Sequence, residues 1–255
     1  MSDSDGAILP GSPDGPLWDP RAVPAATVVV LRDGPDGLET LMLRRDKDLS
    51  FAGGMWVFPG GRIDAEDRSP DDPSDELDAL EASARRAAVR EAAEESGLVV
   101  DPEGLHRWTH WTPPPLQDKR FSTAFFVAVA TDATAEIVID DGEIRAHRWA
   151  RPGEAIELRD AGEIALAPPT FVTLIQLRDH ADTASVLGAA GRRSIEHFST
   201  RVATCEGGWT AVYHGDVTYE ELGTAGGMAE VDLEAPGPRH RLSMGDRWSY
   251  VREDC

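Results

Sequence analysis

The chain has 255 residues, of which 41% are hydrophobic, and a formal net charge of −21 at pH 7. That much apolar content supports a packed core and excludes a disordered chain. So negative a chain is a poor partner for nucleic acid or an anionic membrane, although one cation or a few local arginines can still make a pocket for a small anion.

Residues 1–20, rich in Gly, Pro, Asp and Ser, read as a flexible tail. They lack the basic start and apolar run of a signal peptide, and no stretch of the chain is long enough for a membrane span. The two cysteines, Cys205 and Cys255, make neither a disulfide framework nor a zinc spacing, so a reducing cytoplasm is expected.

"AATVVVLRDG" (25–34) and "LETLMLRRD" (38–46) are predicted strands joined by a hairpin turn. "MWVFPGGRID" (55–64) is a short apolar strand running into a Pro-Gly-Gly turn. Residues 65–76 are polar, acidic and Pro-containing, which marks an exposed loop. A helix is predicted from about Ser74 to Ser96, capped by Ser74 or Asp75, with Leu80, Ala84, Ala88 and Ala92 as a stripe of small side chains and Gly97 as its stop. "LVV" (98–100), "HRWTHW", "RFSTAFFVAVA" (120–130) and part of 137–150 read as strands. "PGEAIELRDAG" and "PPTFVTLIQLRDH" begin with the proline typical of a first helical turn. Residues 181–255 are less periodic and carry short β-like pieces, "WTAVYHG" and "RWSYVRE".

The helix "VREAAEESGL" (89–98) is costly as pure structure. Glu91, Glu94 and Glu95 share one face and repel, and the last two lie where the helix dipole disfavours anions. A Gly-Gly turn upstream lets a backbone carbonyl approach a metal. An oxygen-only donor set of this kind suits Mg²⁺ or Mn²⁺, cations that serve phosphate chemistry.

Taken together, FPGG and REAAEESGL resemble the signature of the Nudix hydrolases: Gly, five residues, Glu, seven residues, then Arg-Glu-aliphatic-x-Glu-Glu-x-Gly-aliphatic. Gly61 matches the opening glycine; Arg90, Glu91, Ala92, Glu94, Glu95, Gly97 and Leu98 match the second half. The family places thirteen residues between the opening Gly and the Arg. Here twenty-eight intervene, positions 62 to 89, so about fifteen are inserted over the acidic loop. Glu66, Asp67 and Glu81 are all candidates for the first acid of the signature. The insertion, "FAGGMWVFPGGRIDAEDRS", "WTPPPLQDKRFSTAFF" and "PPTFVTLIQL" are similar to a branch that includes coenzyme A diphosphatases.

The resemblance implies an α/β fold, the Nudix α/β/α sandwich with a mixed sheet over residues 21–180, followed by a small C-terminal extension, 181–255. It implies Mg²⁺ (or Mn²⁺) held by Glu91, Glu94, Glu95 and the Gly60 carbonyl, with Glu91 a ligand or the base for water and Arg90 orienting the carboxylates. Glu143 falls where some relatives have a further acid, and reads equally as an exposed turn residue. The implied reaction is hydrolysis of a nucleoside diphosphate linked to another group. Coenzyme A is expected first, then ADP-ribose, dinucleotides and NADH; a ligand-sensing module without turnover is the alternative. Arg45 and Arg120 are the foremost phosphate contacts among Arg44, Arg45, Arg62, Lys119 and Arg120. Trp56, Trp108, Trp111 and Phe121 are candidates to stack on a base, or to pack in the core. The partners expected are a small nucleotide and, left open, a second copy of the chain in a homodimer.

Overall fold

A computed structural model describes residues 17–49, 52–116, 119–139, 142–205, 208–223 and 228–253. Residues 1–16 of the expected tail, and Asp140, Asp141 and Cys255, lie outside that set. The chain runs through β1 (Val23–Gly34), β2 (Gly37–Arg45), β3 (Trp56–Val57), β4 (Gly60–Arg62), α1 (Glu76–Ser96), β5 (His106–Thr112), β6 (Phe121–Val129), β7 (Ile144–Ala150), α2 (Pro152–Asp160), α3 (Pro168–Leu177) and α4 (Thr183–Ala190). It then forms β8 (Glu196–Ser199), β9 (Arg201–Cys205), β10 (Gly208–Val212), β11 (Met228–Glu230), β12 (His240–Met244) and β13 (Trp248–Arg252). Among the described residues no helix is long and apolar enough to cross a membrane.

The larger sheet has the order β3-β2-β1-β6-β5-β8, with β4 paired to β1 and β7 to β2. It is mixed: β1 and β6 are parallel, as are β5 and β8, while β1 and β2 are antiparallel. Period-2 alternation divides its side chains between two layers. Val28, Val30, Ala124 and Phe126 face α1; Val29, Leu31, Phe125 and Val127 face the other helices. The result is the expected α/β/α sandwich.

On α1, Ala84, Ala87, Ala88 and Ala92 are fully buried, so small side chains bring the helix close to the sheet. The Asp75 carboxylate caps its start by accepting from the N–H groups of Leu77 (2.9 Å) and Asp78 (3.2 Å). Gly97, at φ 71°, ends it in the left-handed conformation, and its N–H donates to the Ala93 carbonyl.

Three readings need correction. "LVV" is not a strand: Val100 makes a single bridge to Ala130, and Val99 is exposed. The end of the expected tail is docked, because Trp18 is buried and its ring meets His110 edge-on at 4.6 Å. The acidic loop is exposed in most places but anchored at two. Asp67 is buried, and Asp72 accepts from Arg86 at 2.6 Å.

The C-terminal extension completes the domain. Its strands β9 to β13 form a five-stranded sheet of order β11-β9-β10-β12-β13. β8 adds an edge to the larger sheet, and Phe198 stacks on Trp111 at 4.0 Å between ring centroids. Ala211, Tyr213 and Leu242 enter the same core as Val29 and Phe125. Glu196 ties the two sheets, accepting from Gln176 and Arg193 (each 3.2 Å) and pairing with Arg252 (2.5 Å).

Phe198→Ala is therefore expected to lower stability by about 3–5 kcal/mol in denaturant titration. A chain cut after residue 180 is expected to aggregate, because Trp111 and Phe125 lose their cover. Cooperative unfolding of that fragment at the parent's midpoint would contradict this reading.

Candidate active site

The acids of α1 line a cleft of about 530 Å³. It is lined by Gly60, Gly61, Glu91, Glu94 and Glu95 and, facing them, by Arg45, Arg62, Lys119, Phe121 and Glu143. Four elements meet there. β4 lies beside β1, with Gly60 opposite Thr27 and Gly61 opposite Ala26. The last two turns of α1 pass over β4, β2 ends at Arg45, and β6 begins at Phe121.

Glycine is required at the crossing of β4 and α1. A Cβ on Gly61 would stand 2.2 Å from Glu91 Oε1, and one on Gly60 would stand 2.5 Å from the Ala26 carbonyl. Glu91 therefore packs directly on backbone. Gly60 meets the acids through its N–H, which donates to Glu95 Oε2 at 3.0 Å.

Arg90 organises the acids. Its Nη1 donates to Glu91 Oε1 and to Glu94 Oε2, each at 2.9 Å. Its Nε and Nη2 form a two-point bond to Asp67 Oδ1 (3.0 Å) and Oδ2 (2.9 Å), and Nη2 also donates to the Arg62 carbonyl (3.2 Å). This singles out Asp67 among the three acids left open by the sequence. Glu66 is largely exposed and 3.8 Å from Arg90, and Glu81 faces Arg85 and Arg107 instead. Asp67 also follows Gly61 after five residues, the spacing of the first signature acid, with Asp in place of Glu. That spacing was the signal available in the sequence. The inserted residues therefore lie between Asp67 and Arg90.

Burial acts on the acids unequally. Glu95 is nearly inaccessible, and desolvation pushes its carboxyl up to about 8, against the lowering effect of the Gly60 N–H. Desolvation also raises Glu91, despite Arg90 beside it. Glu94 is more than half exposed. On the far side, Arg45 Nη2 donates to Glu143 Oε2 at 2.8 Å, and its Nη1 lies 3.6 Å from Glu95 Oε1.

Arg120 does not reach the cleft. Alternation along β6 and the residues before it sends Lys119, Phe121 and Thr123 into the cleft and Arg120 to the opposite side. There it is buried, 3.1 Å from both Asp19 Oδ2 and the Pro113 carbonyl. Arg44 points to solvent. Trp108 and Trp111 are core residues, and Trp56 is covered by the Arg148 guanidinium at 5.3 Å from its ring. Of the four aromatic candidates only Phe121 lines the cleft. A second groove, about 680 Å³, lies on the other side of Arg90, but Arg85 and Arg86 in its wall are bonded to the Leu105 and Asp67 carbonyls.

The donor set suits a hard divalent cation. It is all oxygen, and burial raises two of its three carboxylates, Glu95 most, which penalises their charged form, a cost a cation would offset. Among the described residues no three acids form a ready-made cage; Arg90 and the Gly60 N–H are bonded to Glu94 and Glu95, and Arg45 lies 3.6 Å from Glu95.

Residues 22–170, more than half of the chain, are matched by the NUDIX domain family, and the chain belongs to that family, the Nudix hydrolases. It is 28% identical over 186 residues to the chicken (Gallus gallus) protein named acyl-coenzyme A diphosphatase NUDT19, an alignment covering 67% of this chain and 49% of that one. The Xenopus laevis protein of the same name is 24% identical, with 72% of each chain covered. The chain thus spans about half the length of the chicken relative. The crystal structure of a NUDIX hydrolase from Alicyclobacillus acidocaldarius superposes with a TM-score of 0.58 at 25% identity, over 68% of this chain and 97% of that one.

Two outcomes follow from the ion pairs and burial. Asp67→Ala leaves the Arg90 fork short of its main partner and is expected to cost about 3–5 kcal/mol in denaturant titration; a loss below 0.5 kcal/mol would show that the fork does not need Asp67. For pH, the unfolded Glu95 carboxyl titrates near 4.5 and the folded one near 8. Between these values the folded state holds more protons, so with chelator present stability falls as pH rises, by up to about 1.4 kcal/mol per unit. Glu95→Gln should flatten that part of the profile, as read by melting curves from pH 5 to 8.

Proposed function

We propose that the chain hydrolyses a phosphoanhydride in a nucleoside diphosphate linked to a second moiety, with acyl-coenzyme A or coenzyme A the first substrates to test. The observation that carries this reading is the facing of three carboxylates on α1 by the basic side chains Arg45, Arg62 and Lys119 across one cleft. Acids alone would repel a diphosphate, and arginines alone would bind it without activating water. The names of the chicken and frog relatives point the same way.

In this reading Glu91, Glu94 and Glu95 hold Mg²⁺ or Mn²⁺, with the Gly60 carbonyl as a further ligand. Such a cation, when bound, neutralises the diphosphate and lowers the pKa of bound water. Arg90 fixes the rotamers of Glu91 and Glu94. Glu91 serves as a ligand or as the base that accepts the proton of the attacking water. Arg45, together with Lys119 and Arg62, binds phosphate oxygens. Phe121 offers a ring face to the base. The ligand is a small nucleotide and not a nucleic acid or a membrane, in keeping with the charge of −21.

A panel of coenzyme A, acyl-coenzyme A, ADP-ribose, dinucleotides and NADH, with products identified by mass, tests the proposal. Cleavage within the diphosphate of coenzyme A leaves adenosine 3′,5′-bisphosphate and 4′-phosphopantetheine. Glu94→Gln is expected to lower kcat at least about a hundredfold, while costing under about 1 kcal/mol of stability because the side chain is exposed. Full turnover in excess chelator, or binding of panel members with no product, would overturn the enzymatic reading, the second in favour of a sensing module.

A further inference from the structure

Arg45 is held differently from Arg90. All five N–H groups of Arg90 are engaged. Arg45 makes one strong bond, to Glu143, and its Nη1 is 3.6 Å from Glu95, beyond hydrogen-bond length. Its buried Nε has no hydrogen-bond partner. A buried N–H with no partner is costly.

The backbone explains why the side chain is there at all. Beside it the β2–β7 register shifts: Arg44 pairs with Ala146 and Arg45 with Ile144, so the extra residue is Arg145 of β7 and Arg45 itself stays in a regular strand end. The Arg45 N–H donates to the Met55 carbonyl, and its own carbonyl accepts from Gly54. Its partner is fixed as well: the Asp46 N–H donates to the Glu143 carbonyl at 2.7 Å, and Asp46 pairs with Arg145. These backbone bonds place the guanidinium between a buried acid of α1 and Glu143 of the facing loop, with its buried Nε donor unspent.

Resting on the diphosphatase reading above, we propose that Arg45 is an internal counter-cation that exchanges partners. Without a divalent ion its guanidinium is bonded to Glu143 and lies against Glu95. With the ion on the carboxylates it is displaced from Glu95 and turns its free donors to a phosphate oxygen of the substrate. One side chain then couples the two occupancies: it competes with the ion and favours the diphosphate after the ion has bound. The loose contact to Glu95 is what makes the exchange inexpensive, since no full hydrogen bond is broken there.

The test is calorimetric titration with Mg²⁺ alone, followed by α,β-methylene-ADP in saturating Mg²⁺. Parent, Arg45→Gln and Arg62→Gln are compared. Arg62 lines the same cleft and loses the same charge, but it pairs with Asp64 at 3.0 Å and not with the α1 acids, so it reports the general electrostatic effect. The expected result is Mg²⁺ binding about fivefold tighter in Arg45→Gln than in Arg62→Gln, with the diphosphate probe bound at least about tenfold more weakly than by parent. Equal Mg²⁺ affinities in the two variants would overturn the counter-cation role, and undiminished probe binding would overturn the transfer. Should Arg45→Gln fail to fold, Arg45→Lys serves: parent-like Mg²⁺ affinity with weakened probe binding supports the proposal, and parent-like values for both refute it. A parent chain that binds no Mg²⁺ and hydrolyses nothing overturns the diphosphatase reading itself; Mg²⁺ binding and turnover in the parent with indistinguishable variants refute this inference alone.

Discussion

The fork between Arg90 and Asp67 is the constraint on which the site depends. A guanidinium is planar and always charged, so a two-point bond to a carboxylate fixes its orientation as well as its place. Once Asp67 holds one edge of Arg90, the other edge points along α1 and aligns Glu91 and Glu94. The acids that repel each other on the helix face thus share one positive partner, and the cost evident in the sequence is partly met within the chain. Arg45 does the same, less completely, for Glu95. Two arginines of different firmness, one locked and one loosely held, set which acids stay in place and which are free to exchange partners.

The fork also explains how the insertion is tolerated. A surface loop costs little extra entropy as it lengthens, provided its ends are held. Here Asp67 holds the first end against Arg90, and Asp72 adds a second point against Arg86. About half of the added residues, positions 68–75, run between Asp67 and the start of α1 at Glu76, and the rest lengthen the helix itself. Site geometry is therefore indifferent to most of the loop and sensitive to Asp67, a residue inside a stretch that composition alone marks as dispensable.

Much of the fold was legible because its signals are local. The hairpin of β1 and β2, the Asp75 cap and the left-handed Gly97 each follow from a few adjacent residues. The acidic face of α1 was legible from spacing, and the cleft does gather Gly60, Arg45, Glu143 and the three glutamates. What was not legible depends on contacts distant in sequence. Arg120 looked like a phosphate contact beside a motif, but alternation and Asp19, about a hundred residues upstream, turn it inward. Residues 181–255 have weak periodicity because their strands are short and their apolar side chains meet a core supplied by the earlier part of the chain. Phe198 makes sense only against Trp111.

That last pairing has a consequence in time. Every side chain of the cleft has been synthesised by Glu143, but the cover of the far face of the sheet, begun by α2 and α3, is complete only when Val186, Phe198, Tyr213 and Leu242 have followed. A nascent chain therefore carries a chemically complete site on a sheet with one greasy side open, and parallel strands such as β5 and β8 pair late because their loops are long to close. During that interval Trp111 and Phe125 are what a chaperone would hold and what a neighbouring nascent chain would stick to. The last third of the protein shields the site by ending that exposure.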